Sequence, residues 1–497
     1  MENIKPLLRK GALDLNFDTV VIGSGMAGLS AASLLTKQGQ KVLVLEANYL
    51  PGGCSSSYYR QGYWFESGAT TLVGLDDKMP LQYLLQQLGL QILADKLQLP
   101  MQVHLNGQTI NRYHNLEQWI NEAERVFGIK GQRPFWEKAF EVSQLVWSNS
   151  IKQLAFPPSS LKDLLQSARN VSLSQFKSLP YAFGTIEDWL NEYGLISNQP
   201  FVQFIDAQLM ITAQNTHQEV NQLFGSAALC YTNYGNYYLK GGMIELPKLL
   251  VEYLLANGSD YRSRQKVELI TPELNGYRVD TNSHSFTCKH VVSAIPLNNT
   301  VDLWCDNKLK TKHNSYIMES PKLNSAFQMG IAFNRTKSFP CLHHQVHLNK
   351  PLPLIGSTSI FVSLSHPDDL GRAPSGAAVA SVSTHVPDPE KSLSFDKKTV
   401  EDAIMEVLTV HGFFKRKDLL YSFSADPKAW QDWLHRKYGF VGGYPQYKTI
   451  KPWQMKDARL DGNGAYICGD STYPGQGIPG ATLSGIIAAH KLLLDHK

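Results

Sequence analysis

Cysteine is scarce in this chain: six residues in 497, placed singly at positions 54, 230, 288, 305, 341 and 468. That usage argues against a disulfide framework and for reduced thiols in a cytoplasmic setting. Charge of one sign is equally lacking. Lys plus Arg number 47 and Asp plus Glu 43, and the resulting net charge of +4 is too small to point to a nucleic-acid partner. There is no charge block, low-complexity tract or internal repeat. The first residues, MENIKPLLRKGALDLNF, lack an apolar core and a small-residue cleavage site, so they read as a short extension and not a secretory signal. Residues 19–36 and 471–490 are uncharged for nearly the ~20 positions that a membrane span requires. Each divides into shorter structural periods, so no transmembrane segment is expected, and peripheral membrane contact is left open. No Walker A string occurs, and neither Ser24 nor Ser484 lies in a G-x-S-x-G elbow.

What the chain has is a dinucleotide-binding unit. Residues 19–22 are apolar and mostly β-branched, as a strand buried on both faces requires, and Gly23-Ser24-Gly25-Met26-Ala27-Gly28 follows directly. Gly23 permits the tight turn, Gly25 lets the backbone approach a pyrophosphate, and Gly28 lets a helix over residues 27–37 pack close to the strand. That helix aims its N-terminal N–H groups and positive dipole end at the phosphates. A second strand, 41–45, ends on Glu46, 18 positions after Gly28, where a carboxylate can accept hydrogen bonds from a ribose diol. A Rossmann-like unit without a ligand is the alternative.

Only four residues after Glu46 come Pro51-Gly52-Gly53, then a glycine-punctuated stretch with Gly62, Tyr63, Phe65, Glu66 and Gly68. A nicotinamide dehydrogenase more often continues here with another βα unit. The segment resembles the FAD-binding N-terminus of the phytoene desaturase, carotenoid isomerase and retinol saturase superfamily, more distantly related to the flavin amine oxidases. Two positions depart from the family pattern. Cys54 stands where many relatives carry Arg, so a phosphate contact from that Arg does not carry over. Glu66 stands where Asp is commoner.

The resemblance continues at the C-terminus. Residues 465–470 read as a short buried strand ending on Gly469-Asp470, 471–480 as a loop, and 481–494 as a helix. In the family the Gly-Asp pair contacts the ribityl and phosphate region of FAD, and the following helix points at the flavin, where its dipole favours negative charge on the reduced ring. GQGIPG also matches G-x-G-x-x-G, but it follows Tyr473-Pro474 instead of a strand, which argues against a separate NAD site. Residues 241–247 open a helical pattern and 264–270 a strand, whose Val267 the resemblance makes the adenine contact. Residues 290–296 read as a strand and turn bearing Ala294. The resemblance thus implies FAD contacts at Gly23, Gly25, Met26, Ala27, Gly28, Glu46, Ala47, Gly52, Gly53, Cys54, Gly68, Ala69, Val267, Ala294, Gly469, Asp470, Gly477 and Ile478.

The expected fold is α/β: a discontinuous Rossmann-type FAD domain from residues 1–95, 236–300 and 450–497, and a mixed sheet-plus-helix substrate domain from 96–235 and 301–449. The first substrate segment is expected to be mostly helical, from runs such as LEQWINEAERVF, LKDLLQSARNV and TIEDWLNEYGL. The second is strand-rich, from SAFQMGIAF, STSIFVSLS and AAVASVSTHV. Phe135, Trp136, Trp147, Phe156, Phe176, Tyr181, Phe183, Trp189, Phe201 and Phe204 are candidates for the wall of an apolar tunnel, or for the core. Cys341, His343, His344 and His347 suggest metal ligands, yet lack a second cluster, and a surface or substrate-domain loop is the reading adopted.

The implied function is redox chemistry by FAD on a long apolar polyene or other isoprenoid, as a carotenoid-type desaturase or cis/trans isomerase. A retinol-saturase-like reductase, a flavin amine oxidase and a non-catalytic isoprenoid-binding flavoprotein are the alternatives. No catalytic acid or base is nominated. Glu66 and Glu245 are nearest by motif and read as structural.

Overall fold

The computed structural model describes residues 15–169, 177–393 and 395–496. Strand β1 (Asn16–Ile22) leads into helix α1 (Met26–Lys37) and strand β2 (Val42–Leu45). β1 pairs in parallel with β2 on one side and with the strand Ser285–Ser293 on the other, with Val20 opposite both Leu43 and Val291. Asp260–Arg262 extends the sheet beyond β2, and Ala465–Ile467 adds in parallel to the far side of Ser285–Ser293. An antiparallel hairpin, Val267–Glu273 and Gly276–Thr281, completes it. Strand order therefore reverses at β1, which opens a crevice beyond its carboxyl end.

The β1 side chains explain why this strand is central. Val21 packs on one face with Leu29, Ala32 and Leu35 of α1, whereas Val20 and Ile22 pack on the other with Leu43, Leu45, Val291 and Ile467. Burial on both faces matches the continuous apolar run. The helix Gly477–Asp495 lies on the α1 side, and a Cβ added at Gly485 would stand 2.2 Å from the Ala27 carbonyl oxygen. Only a glycine lets these two helices approach so closely. That C-terminal helix is long and apolar enough to cross a membrane, but most of it is buried in this core.

A second sheet runs in the order Leu419–Ala425, Asn324–Asn334, Ala377–Pro387, Ser359–Leu364, His343–His347, Met101–Leu105, Gln108–Arg112. The helix Lys397–Val410 packs on it through Val400, Ile404 and Leu408. Helices between Leu116 and Leu229 enclose a separate core containing Trp119, Trp136, Phe201 and Phe204. LEQWINEAERVF forms Leu116–Phe127 with Asn115 as its N-cap.

Two local expectations are corrected. His343, His344 and His347 lie in a wholly buried strand and not a loop. The alternation of the strand separates the rings: His343 Nδ1 is 2.9 Å from Ser363 Oγ, whereas His344 Nε2 is 3.0 Å from the Cys341 carbonyl oxygen. The C-terminal helix begins at Gly477, four residues before the expected start, because a proline in the first turn costs no intrahelical bond and Pro479 is tolerated there.

A buried ionic cluster ties the C-terminal helix to its surroundings. Arg459 bonds Asp163 at 2.5 Å and Asp495 at 2.7 Å, and Lys491 pairs with Asp457. Burial pushes Asp163, Asp457 and Asp495 upward, but the bonds and charges of Arg459 and Lys491 outweigh it and hold all three below the usual range. Carboxyls depressed on folding stabilise the protein above their unfolded pKa and lose that contribution as pH falls through the folded one. Denaturant unfolding is therefore expected to be nearly flat between pH 7 and 5 and to weaken below about 4. Arg459→Met should lower the neutral plateau by about 3 kcal/mol and flatten the acid limb.

Candidate functional site

The loop after β1 is folded against the loop after β2. Gly25 and Gly52 form an isolated parallel bridge, and the Gly52 N–H donates to the Ser24 carbonyl at 2.9 Å. Glu46 locks the same turn: its Oε2 accepts from the Ser24 N–H at 2.9 Å and the Ser24 hydroxyl at 2.6 Å, and its Oε1 accepts from the Asn48 N–H at 2.8 Å. Burial pushes the Glu46 carboxyl upward, and the Ser24 and Asn48 bonds oppose that rise. The Ala69 N–H donates to the Cys54 carbonyl at 2.9 Å, which brings the Gly68-Ala69 pair onto the same turn.

These loops open onto one cavity of about 670 Å³. Of the cofactor contacts nominated from sequence, all but Gly28 line it, including Val267, Ala294, Asp470 and Ile478 from segments hundreds of residues apart. Gly28 stands behind the wall. A Cβ there would be 2.1 Å from the Gly23 carbonyl oxygen and 2.8 Å from Ala294 Cβ, so its part is close packing of α1 on the strands. Two helix N-termini converge on the cavity: α1, with Gly25 as N-cap, and Gly477–Asp495, with Gln476 as N-cap, and neither has a side-chain cap. Helix ends left without a side-chain cap at a cavity wall call for an acceptor, and their dipoles favour a negative one. Ser67 Oγ and Thr71 Oγ1 are buried in the same wall with no hydrogen-bond partner among the described residues. A phosphorylated polyol with an anionic ring carries acceptors of the kind these groups call for, and the residues present fit FAD.

Beyond the dinucleotide end the wall becomes aromatic and aliphatic, with Trp147, Ile211, Phe224, Tyr231, Tyr234 and Phe361. Of the aromatic residues singled out from sequence, only Trp147 belongs to it. Phe135, Trp136, Trp189, Phe201 and Phe204 fill the helical core, and Tyr181 packs against it. Phe156 packs edge-on to Tyr473, Phe183 is exposed, and Phe176 lies outside the described residues. Glu66 is absent from the cavity wall and is held by Arg372 at 3.1 Å, with further bonds from Ser57 and the Met243 N–H. Glu245 pairs with Lys248 at the surface.

Sequence reasoning missed Tyr231, Tyr234, Phe361, His385 and Arg436. His385 is half-buried on the wall and accepts from Gln214 Nε2 at 3.2 Å, and burial pushes its pKa down to about 4, so it is neutral at physiological pH. Burial pushes the Tyr231 and Tyr234 phenols up, and they too are neutral. The alternation of Ala377–Pro387 was the one available signal for His385; nothing local marked the others.

The fold and the cavity define a flavoprotein, and comparison with known proteins assigns the family. Residues 26–493 match the flavin containing amine oxidoreductase family, and the chain belongs to it. A chloroplastic prolycopene isomerase of Daucus carota is 26% identical over 517 residues, which cover 96% of this chain and 80% of that protein. A 4,4'-diapophytoene desaturase of Methylomonas sp is 21% identical, covering 96% of this chain and 95% of the relative. Among solved structures, a cyclohexylamine oxidase from Brevibacterium oxydans superposes with a TM-score of 0.61 at 14% identity, over 97% of this chain and 99% of that one. Within the family the chain falls with the carotenoid desaturase, carotenoid isomerase and retinol saturase-like oxidoreductases, and its cofactor is FAD.

Glu46→Ala removes the acceptor for two N–H groups and a hydroxyl in the turn next to the cofactor. With charged hydrogen bonds contributing about 1.5–3 kcal/mol each, FAD affinity is expected to fall at least about tenfold. Titration of the full-length protein with FAD by flavin fluorescence would measure it, and an unchanged dissociation constant would rule this role out.

Proposed function

We propose that this FAD-dependent oxidoreductase acts on a long apolar polyene of the carotenoid type, with cis/trans isomerisation as its reaction. The observation that carries the reading is the character of the aromatic chamber. The three carboxylates on the cavity wall belong to the dinucleotide end: Glu46 follows β2, Asp470 pairs with Arg436, and Asp302 pairs with Lys437. Among the described residues the chamber wall holds no acid to bind an ammonium group, which disfavours an amine substrate despite the family's name. Its tyrosines and His385 are neutral, so an apolar chain meets no charge that would have to be desolvated. The resemblance to prolycopene isomerase over nearly the whole chain supports the same substrate class.

When bound, FAD supplies a two-electron carrier that can accept hydride from an activated carbon or return it. The residues of this chain do the rest by position. Trp147, Phe224, Tyr231 and Tyr234 hold an extended polyene by dispersion and exclude water. Tyr234 is steadied by Ser143 at 2.9 Å, and Tyr231 points its hydroxyl at Met101 Sδ, 3.7 Å away. The N-terminus of Gly477–Asp495 favours negative charge on a reduced ring. No general base is required, because a polyene offers no acidic proton.

Desaturation is the second reading, supported by the diapophytoene desaturase relative. Incubating oxidised and reduced holoprotein with poly-cis and all-trans polyenes separates the two. Isomerisation predicts a product of unchanged mass and altered retention, formed only with reduced flavin. Products lighter by pairs of hydrogens, formed from oxidised protein, would replace it with desaturation, and a saturated product would point to a retinol-saturase-like reductase. Flavin that is neither reduced nor reoxidised, with no product, would leave an isoprenoid binder.

Ala227, on the chamber wall, offers a steric check. Ala227→Phe should lower kcat/KM for a long polyene about 100-fold, a little under 3 kcal/mol, while FAD content stays at the wild-type level. A simultaneous loss of FAD would place the residue elsewhere in the cavity's function.

A further inference from the structure

FAD brings a diphosphate with two negative charges into a cavity that already carries acids at Glu46, Asp302 and Asp470. Lys and Arg are represented on its wall, among the described residues, by Lys266 and Arg436 alone. Lys266 is solvent-exposed and adjoins Val267. Arg436 is different: its side chain is only 15% exposed, and it reaches Asp470 Oδ2 through Nη1 at 2.8 Å. That is the one hydrogen bond its guanidinium makes among the described residues, so donors of the planar fork remain for a ligand.

The backbone on both sides of Arg436 is fixed. Asn299 Nδ2 donates to the His435 carbonyl at 2.9 Å, and Asn299 Oδ1 accepts from the Lys437 N–H at 3.1 Å. Asn299 itself follows the Ala294–Pro296 part of the cavity wall. His435 is left-handed, with φ 54°, which turns the chain back after the helix Pro427–Leu434. The Phe440 ring lies 5.4 Å from the guanidinium. The charge is thus held at a set place, beside Asp470 and next to the turn that carries Gly53 and Cys54. Burial pushes the Cys54 thiol up, and the positive charge of Arg436 pulls against that rise.

We propose that Arg436 is the cation that binds the FAD diphosphate, working with the N-terminus of α1 and oriented by Asp470 and Asn299. The assignment rests on FAD as cofactor and is independent of the polyene reading, whose failure would leave FAD affinity untouched. A guanidinium is suited to the place, since its parallel N–H groups can span a phosphate and a carboxylate at once. Its neighbour Cys54 provides a second position from which a long cation could reach the same oxygens.

The test is FAD affinity of the full-length protein by fluorescence titration, at several salt concentrations. Arg436→Met should weaken binding about 10- to 100-fold and make it less sensitive to salt, and Arg436→Lys should do less harm. Moving the charge is the decisive step: Cys54→Arg in the Arg436→Met background should recover about tenfold or more of the lost affinity. Binding by Arg436→Met at the wild-type level overturns the proposal. So does a loss that Cys54→Arg fails to relieve in a protein with unchanged circular dichroism and Tm. If Arg436→Met does not fold because Asp470 loses its partner, Arg436→Gln combined with Asp470→Asn removes both charges together. Compared with Asp470→Asn alone, a further loss of FAD affinity supports the assignment, and equal affinity overturns it.

Discussion

The site depends on one parallel pairing. Ser285–Ser293 lies beside β1 and carries Ala465–Ile467 on its other edge. Those three strands end together, so the loops leaving them, at Gly23, Ala294 and Cys468, point into the same crevice. The Cys468 N–H donates to the Ser293 carbonyl at 2.8 Å, and the Ala294 N–H to the Ile22 carbonyl at 2.8 Å, extending the ladder to the rim of the cavity. Shift this register by one residue and every side chain of the two faces changes places. The alternation of Val20, Val21 and Ile22 between two cores makes such a shift costly.

Closure of the crevice then follows from packing. The helix Gly477–Asp495 can aim its first turn at the cavity only because Gly485 lets it settle on α1 at Ala27. Arg459 fixes the other end of that helix through Asp495. A cavity built from the start and the end of the chain is therefore held by contacts made well away from it. Loss of those contacts would disturb cofactor binding without touching a cofactor ligand.

The dinucleotide half was legible because its chemistry is written in short strings. A glycine loop, a strand and a terminal acid occupy consecutive positions, and Gly28, Glu46 and Gly52 each have a steric or hydrogen-bonding reason to be what they are. Helix Leu116–Phe127 was equally legible, with Asn115 as cap and Trp119, Ile120 and Ala123 at helical spacing. The chamber was not. Phe135 and Trp136 looked as suitable as Tyr231 and Tyr234, because an aromatic residue facing a core and one facing a cavity obey the same periodicity. Which face meets the void is decided by how separate elements dock. The buried strand His343–His347 was misread for a related reason: His is polar by composition, yet Ser363 takes up His343 Nδ1 and the Cys341 carbonyl His344 Nε2 inside the sheet. Arg436 lay in a segment with no regular pattern, and its position comes from Asn299, more than a hundred residues earlier.

The cavity has two electrical characters, and the division explains how one fold serves different substrates. At the dinucleotide end charge is plentiful: Arg436 pairs with Asp470, Lys437 with Asp302, and Glu46 accepts from the Ser24 and Asn48 N–H groups. At the chamber end burial keeps the Tyr231 and Tyr234 phenols protonated and the His385 imidazole unprotonated. An ammonium substrate entering this chamber would shed its hydration shell and find no counter-charge, a cost of several kcal/mol. A hydrocarbon chain sheds nothing of value and gains contact along its whole length. The scaffold shared with a cyclohexylamine oxidase thus carries, in this chain, a far wall without a carboxylate among the described residues, while the cofactor end keeps groups suited to FAD.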